Sequence, residues 1–228
     1  MKKRLKINGI IMILALVAIV SLPKIFLRSG LPSARENLLV VLGTFLILVG
    51  QLFRVTARGY KSEHSLNGKA LIQDGPYSLV RNPMYLGILS IGVGIIFLLF
   101  KLWVLSVFLV TFIIRYILLI FTEEKKLTVV FPKDYRDYCR KVPRFLPSWS
   151  VAMKTDVSTY LPLKLGWIKK EAGSIAAVLL GAILLKSAIT IYSNGMNAYL
   201  PQALVILLVM VLFLVFILYL NHKTLQNS

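Results

Sequence analysis

The stretch PMYLGILSIGVGIIFLLFKLWVLSVFLVTFIIRYILLIF, from Pro83 to Phe121, contains two apolar runs that meet at Lys101. Each run is about as long as a bilayer-spanning helix, which needs roughly 20 apolar residues. Because almost nothing separates the runs, we expect a tight antiparallel helical hairpin in a membrane. Gly87, Ser90 and Gly94 recur at helical spacing in the first run, and small residues at that spacing let helix backbones pack closely.

Four further apolar runs flank the hairpin, at about 7–22, 38–53, 172–192 and 203–220. The predicted fold class is therefore all-α, a polytopic membrane bundle of about six transmembrane helices. Of the 228 residues, 57% are hydrophobic, above the 45–50% typical of soluble domains. No small-residue cleavage site follows the first run, so we expect it to be a retained helix and not a signal peptide. Lys186, in the fifth run, is expected to reach toward the outer surface.

The charge distribution predicts an orientation in the membrane. The net charge is +18, from 27 basic and 9 acidic residues. Most basic residues lie in alternate loops, a pattern that indicates cytoplasmic termini and two long polar segments on the cytoplasmic side. This pattern does not indicate nucleic-acid binding; contact with anionic lipid headgroups explains it better. Nothing in the sequence indicates an oligomeric state.

Metal and disulfide chemistry are not indicated. Cys139 is the single cysteine, so the chain has no intramolecular disulfide. The two histidines, His64 and His222, lie far apart and in no metal-ligand spacing. We therefore expect no metal site.

The first polar segment leads into the hairpin with GPYSLVRNPMYLG, from Gly75 to Gly87. Pro83 suits the first turn of a helix, so Arg81 and Asn82 are expected at the mouth of that helix and Tyr85 one turn inside. A helix N-terminus beside an arginine suits a carboxylate or phosphate. The alternative is that Arg81 is only a membrane anchor and Tyr85 an interfacial aromatic.

The second polar segment begins with Glu123 and Glu124, directly after the fourth run. Two carboxylates at a helix C-terminus oppose the helix dipole and need a partner or a task. The alternative is that the lysines that follow neutralise them in solvent. Arg115 lies eight residues earlier, about two turns, and an intramembrane arginine needs a partner or an aqueous cavity.

We predict that the hairpin brings one mixed-charge pocket together, suited to a zwitterionic cofactor. Its expected residues are Arg81, Asn82, Tyr85, Arg115, Glu123 and Glu124. A water-soluble cofactor beside a lipid-accessible groove implies a lipid substrate.

These motifs resemble those of the isoprenylcysteine carboxyl methyltransferase and phospholipid N-methyltransferase group of membrane methyltransferases. The matching positions are Gly75-Pro76-Tyr77, Arg81-Asn82-Pro83-Met84-Tyr85-Leu86-Gly87, Glu123-Glu124, Leu127, Phe131, Tyr135, Tyr138, Val142-Pro143-Arg144 and Pro147. The resemblance covers about residues 38–147 and implies S-adenosylmethionine as cofactor, with methyl transfer to a lipid or prenylated acceptor. It implies a cofactor-binding set of Tyr77, Arg81, Asn82, Tyr85, Glu123, Glu124, Tyr135, Tyr138, Pro143 and Arg144. Arg81, Tyr85 and Arg115 are the expected catalytic residues.

Two positions depart from the family pattern. Asn82 replaces the usual histidine and cannot titrate, which excludes a proton-shuttling role there. Pro132 replaces the glycine after Phe131. A carboxylate acceptor needs no base, whereas an amine must first lose a proton, and no base is evident in the sequence. This favours a carboxylate acceptor, or an amine neutralised by its surroundings, without deciding between O- and N-methylation.

The expected organisation is an N-terminal helix and loop (1–37), a methyltransferase core (38–147), a connector (148–171) and a C-terminal helix pair (172–228). Two other functions stay open. Membrane sterol-type reductases have a similar C-terminal signature and use NADPH. A small transporter or membrane scaffold would explain Arg115 but not the two cytoplasmic motifs.

Overall fold

The computed structural model describes residues 17–19, 21–28, 33–65, 70–145, 147 and 156–226. Most of the first predicted span and the first third of the connector lie outside these residues. The six main helices are α1 (Ala34–His64), α2 (Pro83–Leu99), α3 (Trp103–Val130), α4 (Pro132–Lys141), α5 (Leu165–Asn194) and α6 (Met196–Gln226). Short helical turns form at Pro23–Phe26, Pro76–Leu79 and Val157–Tyr160. The part of the chain that the structure describes is thus a helical bundle, as predicted.

Four of the described helices, α1, α3, α5 and α6, are long and apolar enough to cross a membrane. The fifth apolar helix, α2, is shorter, with 17 residues. These helices make the chain an integral membrane protein. The predicted number of six spans and the predicted orientation stay predictions.

The helices are longer than the apolar runs that predicted them. Ser33 caps α1 by accepting a hydrogen bond from the Glu36 amide at 3.2 Å, and α1 then continues past Phe53 to His64. Similarly, α3 continues past Phe121 to Val130, so Glu123 and Glu124 lie within the helix and not at its C-terminus. The expected ends were wrong because an apolar run measures only the apolar part of a helix, while the helix itself continues through polar residues that favour helical structure.

Glycines bring α1 and α2 into backbone contact. A Cβ atom at Gly50 would lie 2.6 Å from the Gly87 carbonyl oxygen, and one at Gly94 would lie 2.6 Å from that of Gly43. The Ser90 hydroxyl donates to the Leu46 carbonyl at 2.9 Å across the same interface. The predicted packing role of the small residues on α2 is confirmed, and α1 is the helix they pack against.

A buried ion cluster lies at the end of the bundle where α1 begins. The Lys186 ammonium is 2.7 Å from the Glu36 carboxylate, and the Arg28 Nε atom is 2.8 Å from the other Glu36 oxygen. Lys186 is only 3% exposed. The Lys186 ammonium therefore has a buried acidic partner on α1, and its direction relative to the outer surface stays a prediction. Charges that are buried in this way need such partners.

Candidate active site

A cavity of about 200 Å³ lies where α1 ends, α2 begins and α3 carries its two glutamates. The tyrosine face of α4 closes one side of it. The lining residues are Arg58, Lys61, Ser65, Ala70, Leu71, Ile72, Tyr77, Arg81, Asn82, Pro83, Met84, Tyr85, Glu123, Glu124, Leu127, Tyr135 and Tyr138. The two predicted polar segments therefore meet in one place.

Glu124 is the buried centre of this site. Arg144 binds it in a bidentate manner, with Nε at 3.1 Å and Nη2 at 2.8 Å from the two carboxylate oxygens. Arg81 Nη1 is 3.3 Å from Glu124 Oε1, and it also donates to the Cys139 sulfur at 2.8 Å. Glu124 is 8% exposed, so two guanidinium groups hold one buried carboxylate. This contact ties the start of α2 and the segment after α4 to α3.

Two further hydrogen bonds join the start of α2 to the segment after α4. The Arg81 amide donates to the Pro143 carbonyl at 2.9 Å, and the Asn82 side-chain amide donates to the Arg144 carbonyl at 3.3 Å. Asn82 precedes Pro83, the first residue of α2, and its side chain does not cap that helix. Asn82 therefore fixes the position of the segment that carries Arg144.

Glu123 differs from its neighbour in its surroundings. The Tyr85 hydroxyl donates to Glu123 Oε1 at 2.7 Å, and Tyr85 is buried while Glu123 is exposed. Lys61, on α1, also lines the cavity. Among the described residues, neither Glu123 nor Lys61 forms an ion pair. The cavity lining thus includes both a carboxylate and an ammonium, the two charges that a zwitterionic ligand requires.

Three tyrosines connect α4 to the turn before α2. The Tyr138 hydroxyl donates to the Tyr77 carbonyl at 2.7 Å, and the Tyr77 hydroxyl reaches the Ala57 carbonyl at 3.4 Å. Tyr135 and Tyr138 pack with Val142 in a small apolar cluster. Burial raises the pKa of Tyr77 to about 12, with a contribution from the Glu123 charge, and burial also raises the pKa values of Tyr135 and Tyr138. All three hold their protons at neutral pH.

These raised pKa values predict a loss of stability in alkali. An unfolded tyrosine ionises at about pH 10, whereas the folded pKa of Tyr77 is about 12. Between these two pH values ionisation stabilises the unfolded state only, so the free energy of unfolding falls. We expect the melting temperature of the detergent-solubilised protein to fall more steeply from about pH 10 to about pH 11 than that of Tyr77→Phe. Parallel curves for the two proteins over this range would contradict the assignment.

Eight of the ten residues that the resemblance assigned to the cofactor lie in the cavity wall. Tyr77, Arg81, Asn82, Tyr85, Glu123, Glu124, Tyr135 and Tyr138 all line it. Arg144 and Pro143 lie behind the wall, where Arg144 binds Glu124 and Pro143 accepts the Arg81 amide. The roles of these residues in binding and catalysis stay predictions.

Arg115 lies elsewhere. It is exposed on α3 and is not among the residues that line the cavity. Eight residues turn a helix by about 80° beyond two full turns, whereas seven return almost to the same face. Accordingly Tyr116, seven residues before Glu123, stacks edge-on against Tyr85, with 5.1 Å between ring centroids. A catalytic role for Arg115 stays a prediction, and it requires the substrate to extend beyond the cavity.

The last turns of α1 supply cavity residues that the sequence analysis did not select. Arg58 and Lys61 line the cavity from this helix, and Leu71 and Ile72 line it from the segment that follows. The sequence does contain a signal for them. Arg58 and Lys61 are three residues apart, which is a helical spacing, and neither Gly nor Pro follows Gly59 before the end of α1. This signal was missed because α1 was expected to end at Phe53.

Residues 38–134 match a protein-family model described as phospholipid methyltransferase. Over this segment the chain is similar to the phospholipid methyltransferase family. The segment contains α1, α2, α3 and the start of α4, and hence most of the cavity wall. The predicted resemblance to membrane methyltransferases is confirmed over it, whereas α5 and α6 lie outside the methyltransferase segment.

One curated relative of the chain bears a name from metal resistance. Over 118 residues the sequence is 33% identical to the cobalt-zinc-cadmium resistance protein CzcN of Cupriavidus metallidurans, and the match covers 50% of this chain and 51% of that protein. The chain thus spans about half the length of this relative. Within the described ranges, no group of three or more His, Cys, Asp or Glu could hold a metal ion. No solved structure matches the chain.

Proposed function

We propose that this protein transfers a methyl group from S-adenosylmethionine to a lipid-like acceptor at the membrane surface. The carrying observation is that the exposed Glu123 carboxylate and the Lys61 ammonium line one cavity, which the methyltransferase segment builds at one end of apolar helices. The charge pattern favours the cytoplasmic side for this cavity and for both termini. In this proposal the methyltransferase core comprises residues 38–147, and the C-terminal helices α5 and α6 lie outside that core.

The cavity residues fit this cofactor by charge. Glu123 would hold the methionyl ammonium, and Lys61 with Arg58 would hold the carboxylate. Leu71, Ile72 and the tyrosines offer apolar surface for the nucleoside. The cavity of about 200 Å³ is smaller than the roughly 300–1,000 Å³ of typical ligand pockets, so we expect α4 to move outward on binding.

When bound, S-adenosylmethionine supplies an electrophilic methyl group on a sulfonium that leaves as a neutral thioether. The protein has to align the acceptor with that methyl group and exclude water. The proposed reaction is N- or O-methylation, and the acceptor is an amphiphile whose reactive group reaches the cavity.

Calorimetric titration of the purified protein tests the cofactor. We expect S-adenosylmethionine to bind and Glu123→Gln to weaken its binding by about 10- to 100-fold, the value of a charge-assisted hydrogen bond. Asp137→Asn, on the exposed face of α4, is the matched control and should bind as the parent does. NADPH binding in place of S-adenosylmethionine would favour the reductase function, and binding of neither would favour the transporter.

A further inference from the structure

The start of α5, outside the methyltransferase segment, packs against the last turns of α1. Trp167 is 3% exposed, and its ring covers the backbone of Gly59, where a Cβ atom would lie 2.2 Å from the ring. Trp167 Nε1 donates to Glu63 Oε1 at 2.7 Å, and the Lys164 ammonium lies 2.7 Å from the other Glu63 oxygen. Because Gly59 lies between the two residues of α1 whose cations line the cavity, α5 supports that part of the cavity wall.

Glu171, about one turn further along α5, contacts one of those cations directly. Its two carboxylate oxygens lie 2.8 and 2.9 Å from Arg58 Nη1, and Arg54 Nη2 lies 3.0 Å from Glu171 Oε2. Arg54 also donates to the Ser174 hydroxyl. The side chains of Arg54 and Glu171 are each 17% exposed, whereas that of Arg58 is 51% exposed. The more buried Arg54–Glu171 pair therefore fixes the position of the more exposed Arg58 guanidinium.

The orientation of Arg58 matters because arginine binds a carboxylate through a planar fork of donors. Within the part of the chain that the structure describes, Arg58 donates only through Nη1, which leaves the edge formed by Nε and Nη2 for a ligand. Arg144 binds the Glu124 carboxylate with this same edge. Ordering a long, half-exposed side chain during binding lowers affinity by about 3- to 10-fold, and a contact that orders it beforehand avoids this loss.

We propose that Glu171 is a positioning residue of the cofactor site, which orients Arg58 so that its Nε–Nη2 edge binds the carboxylate of the cofactor. This inference rests on the proposed function, which assigns Arg58 and Lys61 to that carboxylate. Arg58 lies within the family match at residues 38–134 and Glu171 lies outside it. The C-terminal helix pair thus contributes to cofactor binding through α5.

Calorimetric titration of the purified protein with two cofactors tests this role. S-adenosylmethionine carries the carboxylate, whereas decarboxylated S-adenosylmethionine lacks it and keeps the ammonium and the sulfonium. The variant is Glu171→Asp, which keeps the charge but is one methylene shorter and cannot contact both guanidinium groups. We expect it to weaken S-adenosylmethionine binding by about 3- to 10-fold and to bind the decarboxylated cofactor as the parent does. Ser174→Ala removes a partner of Arg54 but not the Arg58–Glu171 contact, so this matched control should bind both cofactors as the parent does.

A double variant separates orientation of Arg58 from a general effect on structure. In an Arg58→Gln background, Glu171→Asp should have no further effect on either cofactor, because the group that it orients is absent. The proposal would be overturned by equal weakening of both cofactors in Glu171→Asp, by an unchanged affinity for S-adenosylmethionine, or by a loss that persists in the Arg58→Gln background. Failure of the proposed function gives a different result, since the parent protein would then bind neither cofactor and both proposals would be wrong.

Discussion

Replacing Glu124 with glutamine is expected to remove S-adenosylmethionine binding and to destabilise the protein strongly. The substitution leaves Arg81 and Arg144 facing each other without the carboxylate that both contact. Breaking a buried ion pair by removing one partner costs about 3–5 kcal/mol. Because these contacts tie α2 and the segment after α4 to α3, we expect the cavity to open and not merely to lose one ligand.

The matched variant is the neighbouring substitution, Glu123→Gln. Glu123 is exposed and bonded only to the Tyr85 hydroxyl among the contacts described above, so its loss should lower cofactor affinity while the melting temperature changes little. Thermal unfolding and calorimetric titration of both variants separate the two roles. If Glu124→Gln melted with the parent protein and kept its affinity, the central structural role of Glu124 would be wrong.

A methyl group added at Gly50 is expected to separate α1 from α2. Its Cβ would lie 2.6 Å from the Gly87 carbonyl oxygen and 2.8 Å from the Ile91 amide nitrogen, and both are backbone atoms that no side-chain rotation can move. Overpacking of this kind costs about 1–3 kcal/mol, and a rigid backbone on both sides favours the upper end. Because α2 begins at Pro83, its displacement also moves Arg81 and Tyr85 in the cavity.

Gly181→Ala on α5 is the control for this substitution. Nothing lies within 4 Å of a Cβ atom at Gly181, so alanine should stabilise the helix by up to about 1 kcal/mol. We expect Gly50→Ala to melt at a lower temperature and to lose cofactor binding, while Gly181→Ala keeps both. Equal stability of the two variants would show that the α1–α2 contact is looser than described.

The helices could be predicted from the sequence, but their ends could not. An apolar run reports where a helix is in lipid, whereas α1 and α3 continue as polar helix to His64 and Val130. Those polar turns carry Arg58, Lys61, Glu123 and Glu124, which are the charged walls of the cavity. The prediction thus located the membrane part of the fold better than the part that builds the site.

The site motifs could be predicted because their residues are close in sequence and carry a recognisable spacing. The sequence could not show that Glu124 is buried and ion-paired while Glu123 is exposed. This difference depends on Arg144, which follows α4 in the chain and contacts Glu124. Likewise, Lys186 and Glu36 form their buried pair across 150 positions. Such pairings are set by tertiary packing, and neither hydropathy nor residue spacing carries information about them.

Transfer of radiolabelled methyl groups tests the proposed function most directly. The purified protein is incubated with methyl-labelled S-adenosylmethionine and bilayers of total membrane lipid, and label is counted in the organic-solvent extract. We expect label in the lipid fraction with the parent protein and with Asp137→Asn, and a loss of about 100-fold or more with Glu124→Gln. Lipid labelling no greater than in protein-free bilayers, from a protein that is folded and binds the cofactor, would contradict methyl transfer to lipid.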